Sequence, residues 1–101
     1  MNKILKDEII PLIDTRINVI ENDPDNSSYP FESIEFLREL KEKIERGDDN
    51  FDDTDLYWLI EYVNERLDWA YYQLRAGEDA LPLIKSLKSV LKKLESLRND
   101  S

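Results

Sequence analysis

The chain has 101 residues, with 14 basic and 23 acidic side chains, no histidine, no cysteine and a net charge of −9. This length fits a single domain, and the missing residue types exclude disulfides, thiolate zinc sites and histidine-based catalysis. The acidity disfavours direct binding of nucleic acid, because phosphate contacts need a basic stripe.

The sequence predicts a cytoplasmic protein without a membrane span. No apolar run approaches the roughly 18 residues that cross a bilayer. The N-terminal sequence MNKILKDEII carries two acids and has no small-residue cleavage site, so it is not a secretion signal. The absence of cysteine fits a reducing compartment.

Residues 2–22 carry apolar side chains at helical spacing and predict the first helix. Pro11 lies inside this segment, where a proline removes one backbone hydrogen bond and usually kinks the helix. Two alternatives follow. Either the helix bends near Asp7–Ile10, or it begins near Ile10. We favour the bend, because the apolar pattern continues across the proline.

A loop rich in Asn, Asp, Ser and Pro comes next. Asp23, Asp25 and Ser27 have the spacing that opens a calcium-binding loop. Ser28 and Ile34 then stand where that loop requires Gly and Glu. We therefore predict turn and cap chemistry here rather than a metal site.

The second helix is predicted over residues 30–46. Pro30 suits its first turn, and Gly47 suits the position that ends it. Its apolar stripe comprises Ile34, Leu37, Leu40 and Ile44.

An acidic link joins the second and third helices, and we define it as Asp48, Asp49, Asp52 and Asp53. For Asp52, Asp53 and Asp55, the interpretation we favour is helix capping, because carboxylates bind the N–H groups and the positive dipole end of a helix N-terminus. One alternative is an exposed recognition patch. Another is a calcium loop with Asn50, Asp52, Thr54 and Glu61 as its ligands, although Asp55 stands where that loop needs Gly.

The third helix is predicted over residues 54–76, which contain neither Pro nor Gly. Its predicted core stripe comprises Leu56, Leu59, Ile60, Val63, Leu67, Ala70, Tyr71 and Leu74. Roughly opposite lies a second group, the aromatic face, comprising Trp58, Tyr62, Trp69 and Tyr72. Because Trp and Tyr are enriched at binding hot spots, these rings predict a protein-binding or self-association surface. The alternative is that a loop or another helix covers them.

The fourth helix is predicted over residues 79–98, with Glu78 or Asp79 as its cap and Pro82 in its first turn. Lysines are interleaved with its apolar stripe. This pattern is typical of the last helix of a bundle. The alternative is a basic amphipathic helix for a membrane surface or nucleic acid.

Four helices without strand signals predict an all-α fold, and short links favour an antiparallel four-helix bundle. No Glu-x-x-His pattern or Gly-rich phosphate loop is present. The many carboxylates have no orienting third group around them. We therefore expect no enzymatic activity, no cofactor and no metal.

The order of these elements resembles the small cytosolic immunity proteins that protect bacteria from their own pediocin-like (class IIa) bacteriocins. The stretches that carry the resemblance are RINVIENDPDNSSYPFESIEFLRELKEKIE and DLYWLIEYVNERLDWAYYQL. The resemblance implies an antiparallel four-helix bundle and a self-protection role through binding of a target rather than catalysis.

The predicted function is therefore that of a non-enzymatic binding protein of the immunity or antitoxin type. The aromatic face and the acidic link are its expected recognition surface for a protein partner, and the acidity favours a basic one. One alternative is a homo-oligomeric structural module, such as a homodimer that buries the aromatic face. Another is an acidic mimic of nucleic acid that blocks a basic groove.

Overall fold

A computed structural model describes residues 2–22 and 34–99 of the chain. The elements are α1 (Asn2–Ile4), a π-helical segment (Leu5–Ile9), α2 (Ile10–Glu21), α3 (Ile34–Arg46), α4 (Asp53–Arg75) and α5 (Leu81–Asn99). The described ranges contain no strand, which confirms the all-α prediction. The Asp23–Asp25–Ser27 run and the first turn of the predicted second helix lie outside them.

The contacts divide the chain into two compact units, one over Ile4–Asp49 and one over Asn50–Ser101. In the first unit α2 and the π-helical segment pack against α3, and in the second α4 packs against α5. Each unit is therefore built around a pair of helices. None of the described helices is long and apolar enough to cross a membrane.

The helical backbone continues through Pro11 by a change of hydrogen-bond register. The Ile10 N–H donates to the Leu5 carbonyl, five residues back, as in a π-helix. In an α-helix the Pro11 ring would clash with the Asp7 carbonyl, and proline has no N–H to donate. The structure thus lies between the two alternatives. α2 begins at Ile10, but helical backbone precedes it.

The π-helical turn places Leu5, rather than Lys6, in the buried stripe of this segment. Leu5, Ile9 and Ile13 are buried, and Lys6 is exposed. At 100° per residue, Lys6 would lie about 20° from Ile13 around the helix, and Leu5 about 80° from it. The wider turn shifts the preceding side chains by about one position, which brings the leucine into line.

Two ion pairs join α2 to α3 on the surface of the first unit. Arg38 Nη2 lies 2.6 Å from Glu21 Oε1, and Lys41 Nζ lies 2.7 Å from Asp14 Oδ1. The hydrogen bond to Asp14 raises the pKa of Lys41 above its ordinary value of 10.5. Because the folded-state pKa is the higher one, this contribution to stability is complete below the ordinary value. It is lost only as the pH rises through the raised pKa.

Gly47 ends α3 in the way the sequence predicts. Its φ is 74°, in the left-handed region that favours glycine. The Gly47 N–H donates to the Ile44 carbonyl at 3.1 Å, and the Asp48 N–H donates to the Lys43 carbonyl at 3.0 Å. These two hydrogen bonds form a Schellman motif.

The core stripe of α4 matches the prediction except toward its C-terminal end. Leu56, Leu59, Ile60, Val63, Leu67 and Ala70 are buried. Tyr71 is half-buried, and Leu74 is 38% exposed because it lies in the last turn, where the helix pair ends. The prediction that Leu74 belongs to the core is therefore wrong.

The start of α5 also differs from the prediction. The Ile84 N–H donates to the Ala80 carbonyl at 2.9 Å, so Ala80 occupies the N-cap position instead of Glu78 or Asp79. Ala80 is buried, which indicates that packing decides where this helix begins. Pro82 lies in the first turn as expected, where its missing N–H would have no helical partner.

Candidate functional site

The four rings of the predicted aromatic face do not share one exposed surface. Tyr62 is only 4% exposed and Trp58 is half-buried, whereas Trp69 is 43% exposed and Tyr72 is 63% exposed. Tyr62 lies about 60° around α4 from the fully buried Leu59, so a wide buried arc includes it. The placement of Tyr62 on an outward face is therefore corrected.

Trp58 belongs to a packed aromatic cluster in the first half of α4. Its ring centroid lies 5.2 Å from that of Tyr57 in an edge-to-face arrangement, and 6.2 Å from that of Tyr62. The Arg98 guanidinium of α5 lies 6.0 Å from the Tyr57 ring. Both ring contacts of Trp58 are therefore with residues of α4 itself, and its role in partner binding stays a prediction.

Trp69 and Tyr72 lie on the outer surface of the second half of α4. The Arg66 guanidinium stacks 3.8 Å from the Trp69 ring centroid, one helical turn before it. Such a cation–π contact contributes roughly 0.5–1 kcal/mol at an exposed site, which favours one ring orientation. Trp69 is therefore partly ordered before any partner arrives.

Three exposed carboxylates follow the same side of α4: Glu65 and Asp68 each lie one turn before one of the two rings, and Glu61 lies two turns before Trp69. We define the outer α4 surface as Glu61, Glu65, Asp68, Trp69 and Tyr72. These acids were not among the residues predicted for the site. Their spacing of four and three residues was the signal that could have placed them in the site, because it keeps side chains on one side of a helix.

The acidic link has a capping role at Asp52. Its Oδ1 accepts a hydrogen bond from the Asp55 N–H at 2.8 Å, and Asp55 Oδ2 accepts one from the Asp52 N–H at 3.2 Å. This reciprocal pair is a capping box, and it confirms the interpretation for Asp52. Asp53 follows in the first turn of α4, where a carboxylate also suits the helix dipole.

The other two acids of the link belong to the first unit. The carboxylate of Asp48 lies 3.7 Å from the Arg46 guanidinium, and Asp49 is exposed. A recognition role for Asp48, Asp49, Asp52 and Asp53 stays a prediction.

A calcium loop starting at Asn50 does not fit the backbone. Thr54 and Glu61, two of its proposed ligands, lie on α4 itself, which begins directly after the Asp52 cap. Within residues 2–22 and 34–99, no group of three or more acidic side chains is placed to hold a metal ion.

An open pocket lies between the start of α4 and the end of α5. Ile60, Glu95, Arg98 and Asn99 line it. One carboxylate and one guanidinium without a nucleophile do not make a catalytic set, so we assign this pocket no chemistry.

Replacing the Asp52 cap is expected to weaken α4. Asp52→Ala removes the acceptor for the Asp55 N–H and should lower the free energy of unfolding by about 1 kcal/mol. Urea denaturation followed by circular dichroism measures this change. Asp49→Ala, in the same link but outside the capping box, is the matched control and should change stability by less than about 0.5 kcal/mol. Equal losses in the two variants would contradict the capping role.

In comparisons with known proteins, no family model, curated protein or solved structure matches the chain.

Proposed function

We propose that this chain is a non-enzymatic protein that acts by binding another protein through the outer α4 surface. The observation that carries the proposal is the exposure of Trp69 and Tyr72 on the outside of α4, along the same side as three exposed carboxylates. Large aromatic side chains are the commonest anchors of protein interfaces, and charged neighbours guide the choice of partner.

The exposed aromatic area is large enough to matter for binding. A tryptophan can bury up to about 250 Å². The 43% of Trp69 that is exposed therefore leaves on the order of 100 Å² to cover, worth roughly 2–3 kcal/mol at about 25 cal/mol per Å². Tyr72 adds a comparable area. Two such exposed aromatic side chains in adjacent turns of one helix support the proposal of a protein-binding hot spot.

The kind of binding protein follows from the resemblance to bacteriocin immunity proteins. We extend the proposal to that role, to a cytoplasmic location and to an antiparallel bundle of the four helices. Each unit contains a packed helix pair with buried apolar side chains, as such a bundle requires. The absence of histidine and cysteine from the sequence supports a role in binding rather than catalysis.

The immunity role is tested by expressing the protein in a bacterium that is sensitive to pediocin-like bacteriocins. We expect the wild-type protein to raise the inhibitory concentration of at least one such peptide by roughly tenfold or more. Trp69→Ala combined with Tyr72→Ala should abolish this protection without loss of helicity, because it removes roughly 2–3 kcal/mol or more of binding energy. Protection by the aromatic double variant equal to that of wild type would refute the role of the outer α4 surface.

Leu97→Ala is the matched control, since Leu97 is an exposed apolar residue on the other helix of the same unit. It should protect as well as wild type. Absence of protection by any variant across a broad bacteriocin panel would refute the immunity role. In that event, chemical cross-linking in cell extracts, compared between wild type and the aromatic double variant, tests the more general proposal of protein binding.

A further inference from the structure

A straight stripe of three acidic side chains and one tyrosine runs along the outside of α4. Its members, Glu61, Glu65, Asp68 and Tyr72, are all exposed and follow one another at spacings of four, three and four residues. At 100° per residue, this stripe lies opposite the buried stripe that contains Leu56 and Val63. It therefore faces away from the core of its own helix pair.

A stripe with the opposite charge runs along the outside of α5. Its members, Leu81, Lys85, Lys88 and Lys92, are also exposed and have the same spacings. α5 holds five basic residues and one acidic residue, giving it a net charge of +4 in a protein whose net charge is −9. The lysine stripe is thus a local exception to the acidity of the chain.

The two stripes match when the helices run antiparallel. Four pairs of residues then lie opposite each other: Glu61 with Lys92, Glu65 with Lys88, Asp68 with Lys85, and Tyr72 with Leu81. All four form in a single antiparallel register, because the two residue numbers of each pair add up to the same total. Equal spacing alone is a property of any two helix stripes. The chemistry of the pairs is what indicates a match between these two stripes. Every charged pair joins side chains of opposite charge, and the remaining pair joins two largely apolar side chains.

These pairs are not made within the chain. None of the ion pairs among residues 2–22 and 34–99 involves the six charged members of the two stripes. The Nζ of Lys88 lies 5.5 Å from the Tyr71 ring centroid. Both stripes consequently present charged side chains to solvent.

We propose that the two stripes form the interface of a homodimer, in which α4 of one copy lies antiparallel to α5 of its partner copy. A two-fold axis parallel to the helices forms every pair twice when both stripes lie on one side of the α4–α5 pair, and we propose this arrangement, which closes at two subunits. The charge complementarity within one sequence identifies a second copy of this chain as the occupant.

This interface goes beyond the proposed binding function but shares with it four members of the outer α4 surface, Glu61, Glu65, Asp68 and Tyr72. A foreign partner that uses Trp69 and Tyr72 therefore competes with the second copy.

The test compares charge-reversal variants by sedimentation equilibrium over concentrations that reach the millimolar range. The wild-type chain is expected to dimerise at about 0.1 M salt. At about 1 M salt the dissociation constant should rise by tenfold or more, because the screening length falls from about 10 Å to about 3 Å. Lys88→Glu places like charges opposite each other at two symmetric positions and should raise the dissociation constant by roughly tenfold or more.

The matched control is Lys93→Glu, which makes the same change of charge on an exposed lysine outside the stripe. It should change the dissociation constant by about twofold or less. Lys88→Glu combined with Glu65→Lys restores both symmetric pairs with reversed polarity and should recover the wild-type constant. Circular dichroism of each variant confirms that the fold is intact.

Three results would overturn the dimer: a wild-type monomer throughout the concentration series at low salt, an equal effect of Lys88→Glu and Lys93→Glu, or no recovery in the double variant. None of them bears on bacteriocin protection or on cross-linking to a foreign protein. The dimer and the proposed function therefore stand or fall separately.

Discussion

Replacing Leu59 with alanine is expected to lower the free energy of unfolding by about 2–5 kcal/mol, one of the two largest effects predicted for this protein. Leu59 is fully buried in the middle of the α4 core stripe. The loss combines the transfer free energy of the deleted side-chain atoms with the cost of the cavity they leave. Urea denaturation followed by circular dichroism measures it, and the midpoint should fall without a change in slope.

Leu97→Ala makes the same chemical change at a site that is 42% exposed. It removes less buried area and creates no closed cavity, so the loss should stay below about 1 kcal/mol. A difference of less than about 1 kcal/mol between the two variants would contradict the burial of Leu59. The two variants together thus test which side chains of the α4–α5 unit are buried and which are exposed.

The buried side chains of this unit were largely predictable from the sequence where burial follows helical periodicity. Leu56, Leu59 and Val63 lie within a narrow arc, and the structure buries all of them. Periodicity gives the direction of the buried face but not its width, and so Tyr62 was placed on the wrong side. The width depends on how much of each helix is covered by its neighbours, which no local pattern contains.

Helix ends were predictable where backbone chemistry decides them. Gly47 ends α3 because only glycine adopts its left-handed conformation at little cost, and Asp52 begins α4 because its carboxylate reaches an N–H group. At α5, packing of Ala80 prevails over the capping preference of Glu78 and Asp79. Local propensity therefore predicts an end only where burial does not compete with it.

The candidate site was harder to predict because it depends on how the side chains of one helix pair with those of another. Trp69 and Tyr72 could be singled out as aromatic residues on a polar side of α4. The significance of Glu65 and Lys88 emerges only when α4 and α5 are compared in an antiparallel register. A sequence read one helix at a time treats each of these charges as a solvated surface residue.

The π-helical turn provides the second large prediction. Deleting Asp7, an exposed residue of this turn, is expected to lower the free energy of unfolding by about 2–3 kcal/mol. Without the extra residue, the segment can become α-helical and keep Leu5 in the buried stripe, but Pro11 then lies inside an α-helix and clashes with the turn before it. If the π register persists instead, Leu5 rotates out of the stripe and its burial is lost. Either route is unfavourable.

Combining the Asp7 deletion with Pro11→Ala should recover most of this loss. Alanine supplies the missing N–H and removes the ring, so an α-helix can run through the segment with Leu5 still in line with Ile13. Pro11→Ala alone should change stability by less than about 1 kcal/mol, since the π-helical turn already accommodates the proline. Urea denaturation of all three variants gives the coupling between the two sites. Additive losses would mean that Pro11 and the inserted residue act independently, and that the π-helical turn has another cause.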